Sequence, residues 1–235
     1  KAESVPEMAA ERLEENALHF HGLVRRRLEE HLETFGEPGI VVAPFDTELF
    51  GHWWHEGVEW IVRIMEKIAR DDELELTTGG GYLDYHEPVG EIALPEGSWG
   101  EGGHHYIWLN HETDWTWPEI YRAELTLREY VDRWLDREHD IIHRLLRLAA
   151  RELLLLQSSD WQFLISTQAA RDYAQVRFAN HLHVFDRAID LIRKQERGED
   201  LTDHDWRFVG EAEGRDGMIF PDLDLALWRS GSAAR

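Results

Sequence analysis

The sequence predicts a mainly α-helical chain with a small β contribution. Apolar residues recur at helical spacing through most of the 235 residues. Only residues 40–45 form a short β-branched run without alternation, which is typical of a strand buried on both faces. The hydrophobic fraction of 43% is enough for a buried core in one domain or two small ones.

The first predicted element is a long helix over residues 6–35. Ser4 to Glu7 has the spacing of a capping box, with Pro6 inside the first turn. Gly36 follows the last apolar position of the pattern and is expected to end the helix.

The predicted strand, residues 40–45, has no partner of its own type in the rest of the sequence. Because a lone parallel strand is not stable, its neighbours are expected on another segment. Residues 1–7 lack an initiating Met and a signal peptide core. We therefore expect a piece of a longer protein, in which another segment supplies the partner strands.

The remaining elements are helical apart from one long loop. The patterns predict a helix over residues 53–69, a Gly-rich and aromatic loop over 77–117, and helical structure over 117–156 with a break near Arg137. Further helices are expected from Trp161, over residues 169–197, and in the tail. The predicted regions are residues 1–76, 77–117 and 118–235.

Composition excludes several classes of partner. A net charge of −22 repels nucleic acid and anionic membrane surfaces. No apolar stretch approaches the roughly 20 residues that cross a bilayer. The absence of cysteine rules out disulfides and thiolate metal sites. It fits a reducing compartment, so we expect a cytoplasmic protein. We expect no cofactor.

Asp46 is the first candidate for chemistry. It follows the predicted strand directly, and the carboxyl ends of parallel strands are where reactive groups converge. The alternative is a helix cap, although Asp46 lies several residues before the expected helix.

Several motifs occur in a fixed order along the chain. They are residues 45–54 with Glu56 and Gly57, then 98–103, 108–110 with 115–117, 158–165 and 220–224. This ordered set resembles glycoside hydrolase family 57, especially its 1,4-α-glucan branching enzymes.

The resemblance implies the last strand or strands of an incomplete (β/α) barrel, followed by an α-helical C-terminal domain. It implies that Asp46 is the general acid/base of a retaining transfer from α-1,4 to α-1,6 linkage, as in glycogen biosynthesis. The nucleophilic glutamate of the family belongs to an N-terminal barrel segment, so this chain is expected to be inactive by itself.

The resemblance also implies substrate-binding residues for an α-1,4-glucan such as amylose or glycogen. Trp99 and Trp108 match tryptophans of the glucan groove, and Asp160 matches a substrate-binding carboxylate, although a helix-cap role for Asp160 stays open. His52 and Trp53 are further candidates. Trp53 and Trp54 are adjacent and cannot share a face, so only one is expected to meet sugar.

Three alternatives remain open. His139 and His143 have the spacing of a zinc-binding pair on a helix, although no third ligand is evident and we predict no metal. An α-glucan hydrolase or a 4-α-glucanotransferase of the same family is the second alternative. The third is a non-catalytic glucan-binding piece.

Overall fold

The computed structural model describes residues 5–231 and confirms a mainly helical chain. No strand forms within these residues; the nearest feature is an isolated bridge between Phe50 and Trp54. The α-helices are α1 Pro6–Phe35, α2 Gly57–Ala69, α3 Gly79–Leu83, α4 Thr116–Trp134, α5 Asp140–Leu156, α6 Asp160–Ser166, α7 Arg171–Glu196 and α8 Asp203–Asp216. The chain divides into two compact units at residues 93 and 94.

The first unit is built on the packing of α1 against α2. Its core consists of Leu13, Ala17, Trp60, Ile64 and Ile68. The bounds of α1 agree with the prediction, and Gly36 ends it in the left-handed conformation at φ 76°. Ser4 of the expected capping box lies outside the described residues.

Residues 40–45 have no regular secondary structure and do not form the predicted strand. Their side chains are exposed, with Val42 at 75%. A strand requires a neighbour to accept and donate its backbone hydrogen bonds, and no other described segment supplies one. The following helix also starts later than predicted, at Gly57, because residues 47–49 form a 3-10 turn and residues 51–56 form further turns.

The second unit is a bundle around α5 and α7. The break expected near Arg137 is confirmed, since α4 ends at Trp134 and α5 begins at Asp140. Leucines of α5 pack against Phe178 and Phe185 of α7 in the largest buried cluster. Among residues 5–231, none of the helices has the length and apolarity that a membrane crossing requires.

Candidate functional site

Asp46 follows the irregular segment 40–45, and its side chain is exposed. Its backbone is extended at φ −62° and ψ 131°, and its carbonyl oxygen accepts from the Leu49 N–H at 3.1 Å. The side chain makes no capping hydrogen bond to the 3-10 turn that follows. The geometry therefore gives no support to a capping role and leaves the carboxylate available.

The backbone on either side of Asp46 is anchored by a cluster of aromatic rings. Phe45 packs edge-on against Phe50 at 5.6 Å between centroids and against Trp60 at 5.9 Å. Trp54 packs on Trp60 at 5.2 Å. Gly57 allows this approach, because a Cβ there would lie 2.9 Å from Phe50 and 3.0 Å from Trp54. The spacing of aromatics and glycine in residues 45–57 thus fixes the chain that carries Asp46.

Of the two adjacent tryptophans, only one packs inside. Trp54 is half-buried in the aromatic cluster, whereas Trp53 is 72% exposed. His52 lies edge-on against Trp53, with ring centroids 5.0 Å apart. The side chains of Trp53 and Trp54 therefore lie in different environments, as expected. A sugar contact by His52 and Trp53 stays a prediction.

In the second unit, the Gly-rich loop holds Trp99 against Trp108. The two rings are edge-to-face, with centroids 5.0 Å apart at 85°, and Trp99 also contacts Phe163 at 5.8 Å. Trp99 is nevertheless 74% exposed. An exposed indole that is held in place by neighbouring aromatic rings is a suitable stacking surface for the C–H face of a sugar.

The loop is a tight turn closed by its own polar groups. The Ser98 hydroxyl donates to the His104 carbonyl at 2.5 Å and accepts from the Gly100 N–H at 2.9 Å. Gly102 and Gly103 adopt positive φ values of 68° and 76°. A Cβ on Gly100 would lie 2.7 Å from the His104 carbonyl oxygen. The glycines are thus required for the turn that supports Trp99.

A cleft of about 180 Å³ adjoins Trp108, and we call it the Trp108 cleft. Its principal lining residues are Trp108, Trp117, Tyr121, Glu124, Gln157 and Gln162. Sequence reasoning identified only Trp108 of this set as a binding residue. The available signal was the spacing of Trp117, Tyr121 and Glu124, which places two aromatics and a carboxylate on one face of α4.

Asp160 is the first residue of α6 and is exposed. The preceding Ser159 occupies the N-cap position without a side-chain cap bond. The Asp160 carboxylate accepts a long hydrogen bond of 3.4 Å from the Ser158 hydroxyl. Because it does not cap the helix, the carboxylate is free to contact a ligand.

The structure brings Trp99 and Trp108 together, while Asp46, His52 and Trp53 belong to the first unit.

The histidine pair of the zinc alternative has other partners. His139 is the N-cap of α5, and its Nδ1 accepts from the Ile142 N–H at 3.3 Å. His143 Nε2 lies 3.0 Å from the Trp134 carbonyl oxygen, to which it can only donate. These contacts explain both residues as part of the turn between α4 and α5.

Within the described chain, one group of three side chains lies close enough together to ligate a metal. It consists of Glu152, His181 and Asp216, all buried. Arg177 Nη2 lies 3.1 Å from His181 Nε2, and a guanidinium only donates, so Nε2 accepts. His181 Nδ1 then donates to Glu152 at 2.7 Å, while Arg215 pairs with Asp216 at 2.7 Å. Both ring nitrogens are used, and the arrangement fits an internal network that joins α5, α7 and α8.

Comparison with known proteins gives consistent matches. The family model described as 1,4-alpha-glucan branching enzyme, C-terminal, matches residues 119–228. A 1,4-alpha-glucan branching enzyme of Thermococcus kodakarensis is 47% identical over 218 residues, which is 92% of this chain and 31% of that relative. The chain thus spans about a third of the length of the curated relatives that it matches.

Solved structures give the same picture. The Thermococcus kodakarensis family 57 branching enzyme superposes with a TM-score of 0.78 at 44% identity, over 97% of this chain and 40% of that one. The family 57-type branching enzyme of Pyrococcus horikoshii gives 0.77 at 41% identity, over 98% and 42%. The α-amylase AmyC of Thermotoga maritima gives 0.70 at 26% identity, over 97% and 40%.

Proposed function

The chain belongs to the 1,4-α-glucan branching enzymes of glycoside hydrolase family 57, and we propose that it supplies the general acid/base of their reaction. In this proposal the complete protein transfers part of an α-1,4-glucan to a 6-hydroxyl with retention of configuration. The observation that carries it is the 47% identity to a branching enzyme over 92% of this chain.

The proposal includes a partner segment for residues 40–45. Ile40, Val41 and Val42 are apolar and exposed, and the chain corresponds to about a third of its relative. Strands of an N-terminal portion would pair with this segment and complete a (β/α) barrel. The expected barrel remnant is thus a proposal about the complete protein.

Asp46 has a defined task in the proposed reaction. Retaining transfer uses one carboxylate as nucleophile and a second carboxyl that first protonates the leaving oxygen and then deprotonates the acceptor. Asp46 takes the second role, and a glutamate on the N-terminal portion takes the first. Glu48 is an unsuitable nucleophile because it lies on the same short turn, two residues further along.

We propose glucan-contacting side chains for each unit separately. In the first unit these are His52 and Trp53. In the second unit they are Trp99, Trp108 and Asp160. Trp99 offers a stacking face, and Asp160 offers a carboxylate that accepts from sugar hydroxyls.

An α-glucan hydrolase is the second candidate, because the chain also resembles a structure described as an α-amylase. The identity of 26% to that protein is lower than the 44% and 41% to the branching enzymes. Hydrolysis and branching differ in whether water or a sugar hydroxyl attacks the intermediate, so product analysis separates them.

The role of Asp46 is tested by Asp46→Asn in the complete protein, with Glu48→Gln as the matched control. Loss of the general acid/base should lower turnover of amylose by about 10²–10⁴-fold. With α-maltosyl fluoride, whose leaving group needs no proton, the first step should continue and the glycosyl-enzyme should accumulate and be detectable by mass spectrometry.

Two outcomes would count against this role. Amylose turnover by Asp46→Asn within a few fold of wild type would favour the non-catalytic alternative. Equal losses in Asp46→Asn and Glu48→Gln would indicate that the turn has been disturbed and that Asp46 has no specific part in proton transfer.

A further inference from the structure

We propose that Trp60 is a positioning residue for Asp46, because its buried indole ring supports the chain on both sides of that carboxylate. This inference rests on the proposed function, since it takes Asp46 to be the general acid/base. Trp60 lies in α2, outside the motif of residues 45–54, Glu56 and Gly57 that carries the family resemblance.

The direction of the Asp46 side chain depends on its backbone. Asp46 is exposed, and its side chain makes no capping hydrogen bond to the turn that follows. A catalytic group has to be held within about 0.5 Å of its productive position. In this chain, that precision has to come from the contacts that hold residues 45–50.

Trp60 contacts an aromatic ring on each side of Asp46. Phe45 comes immediately before Asp46 and packs edge-on against Trp60, with ring centroids 5.9 Å apart. Phe50 comes immediately after the 3-10 turn and stacks on Trp60 at 6.3 Å, with planes tilted by 15°. Edge-on and offset-stacked pairs at such separations are the favourable arrangements of aromatic rings. One indole therefore supports both ends of the segment that carries Asp46.

The turn beyond Asp46 is closed by its own backbone. The Trp54 N–H donates to the Leu49 carbonyl at 2.9 Å, and the Gly51 N–H donates to the Trp54 carbonyl at 2.8 Å. The Trp54 ring packs on Trp60 as well, with centroids 5.2 Å apart. The turn therefore rests on Trp60 as one closed unit.

Trp60 is itself held in place by α1. Phe20 of α1 packs edge-on against the indole at 5.1 Å between centroids, and Trp60 is only 8% exposed. A smaller side chain would leave space that the surrounding structure fills only in part. Phe45 and Phe50 could move into that space, and the Asp46 carboxylate would move with them.

The expected consequence is a loss of proton transfer while the nucleophilic step is preserved. The Asp46 carboxyl gives its proton to the leaving oxygen, and the resulting carboxylate then takes a proton from the attacking hydroxyl. The fluoride of α-maltosyl fluoride leaves without a proton, so its first release does not depend on Asp46. A displaced Asp46 should therefore slow amylose turnover and preserve the rate of the first fluoride release.

The test uses Trp60→Leu and Trp60→Phe in the complete protein, with Ile68→Ala as the matched control. Ile68 is on the same helix, is exposed by the same 8% and lies about 12 Å further along the helix axis. Amylose kcat and the first fluoride release, followed by quenched flow, are measured per folded molecule. Urea unfolding curves give the folded fraction of each variant.

We expect Trp60→Leu to lower the amylose kcat by about 10–10²-fold, as for a catalytic group misplaced by about 1 Å, with the first fluoride release within about twofold of wild type. Trp60→Phe should show the same pattern with a smaller loss, because it keeps an aromatic ring. Ile68→Ala should change neither rate per folded molecule.

Parallel losses of both rates in Trp60→Leu, or an amylose kcat equal to that of wild type, would overturn the positioning role and leave the acid/base role of Asp46 standing. If Trp60→Leu does not fold, Trp60→Phe decides by the same criteria. Amylose turnover retained by Asp46→Asn would overturn the proposed function and this inference together.

Discussion

Gly57→Ala should destabilise the first unit, because it adds a methyl group to the aromatic cluster behind Asp46. The new Cβ would lie 2.9 Å from Cδ1 of Phe50 and 3.0 Å from Cε3 of Trp54. These are ring atoms of side chains that also pack on Trp60, so they cannot turn away as a flexible chain end could.

The expected size follows from two opposing contributions. Overpacking a well-filled site typically costs about 1–3 kcal/mol. Replacing glycine by alanine in a helix returns about 0.5–1 kcal/mol, and less at Gly57 because it is the first residue of α2. We therefore expect a net loss of about 1–2 kcal/mol in the free energy of unfolding.

Gly22→Ala is the matched control within the same unit. Gly22 lies inside α1, and a Cβ there would meet no atom within 4 Å. Its replacement should stabilise the protein by about 0.5–1 kcal/mol. Urea unfolding followed by tryptophan fluorescence and near-UV circular dichroism measures both changes. Equal stability of the two variants, with an unchanged near-UV spectrum, would refute the packing argument.

Further predictions concern neighbouring tryptophans and one buried carboxylate. Trp54→Ala should lower the free energy of unfolding by about 2–4 kcal/mol because it empties part of the aromatic cluster, whereas Trp53→Ala should change it by less than about 0.5 kcal/mol. Urea midpoints of the two variants check this, and similar midpoints would contradict it. Asp205 closes a capping box with Thr202, and the Lys194 ammonium, at 2.7 Å, lowers the pKa of its carboxyl. Its contribution to stability is therefore complete above the unfolded pKa of about 4 and is lost as pH falls towards the folded value. Asp205→Asn should cost about 0.5–2 kcal/mol at neutral pH and should reduce the loss of stability measured between pH 5 and pH 2; an unaltered acid dependence would count against the pairing.

The sequence predicted those elements whose limits are set by local signals. Gly36 ends α1 because only a residue tolerant of positive φ fits there. The polar residues around Arg137 interrupt the apolar pattern, and the helix breaks at that point. These features depend on neighbouring residues alone and were visible without tertiary information.

Non-local features were predicted less well. The run at residues 40–45 has strand composition, but pairing depends on a neighbour that no described segment supplies. The start of α2 was placed four residues early, because the packing of Trp54 on Trp60 favours turns where the apolar pattern suggested helix.

The candidate site divides in the same way. Asp46, Trp99, Trp108 and Asp160 lie in recognisable motifs, and the structure leaves Asp46, Trp99 and Asp160 exposed. Glu124 and Gln157 are separated by 33 residues and resemble ordinary surface residues until α4 and α5 pack. Their convergence is a property of the fold that spacing along the chain could not predict.

The most direct test of the proposed function is the linkage pattern of amylose after incubation with the complete protein and, separately, with this chain. Proton NMR of the anomeric region, followed by debranching and chain-length analysis, counts new α-1,6 linkages. We predict new branches from the complete protein and none from this chain by itself. Branching by this chain alone would contradict the need for a second carboxylate, and only shortened or elongated linear products from the complete protein would contradict branching.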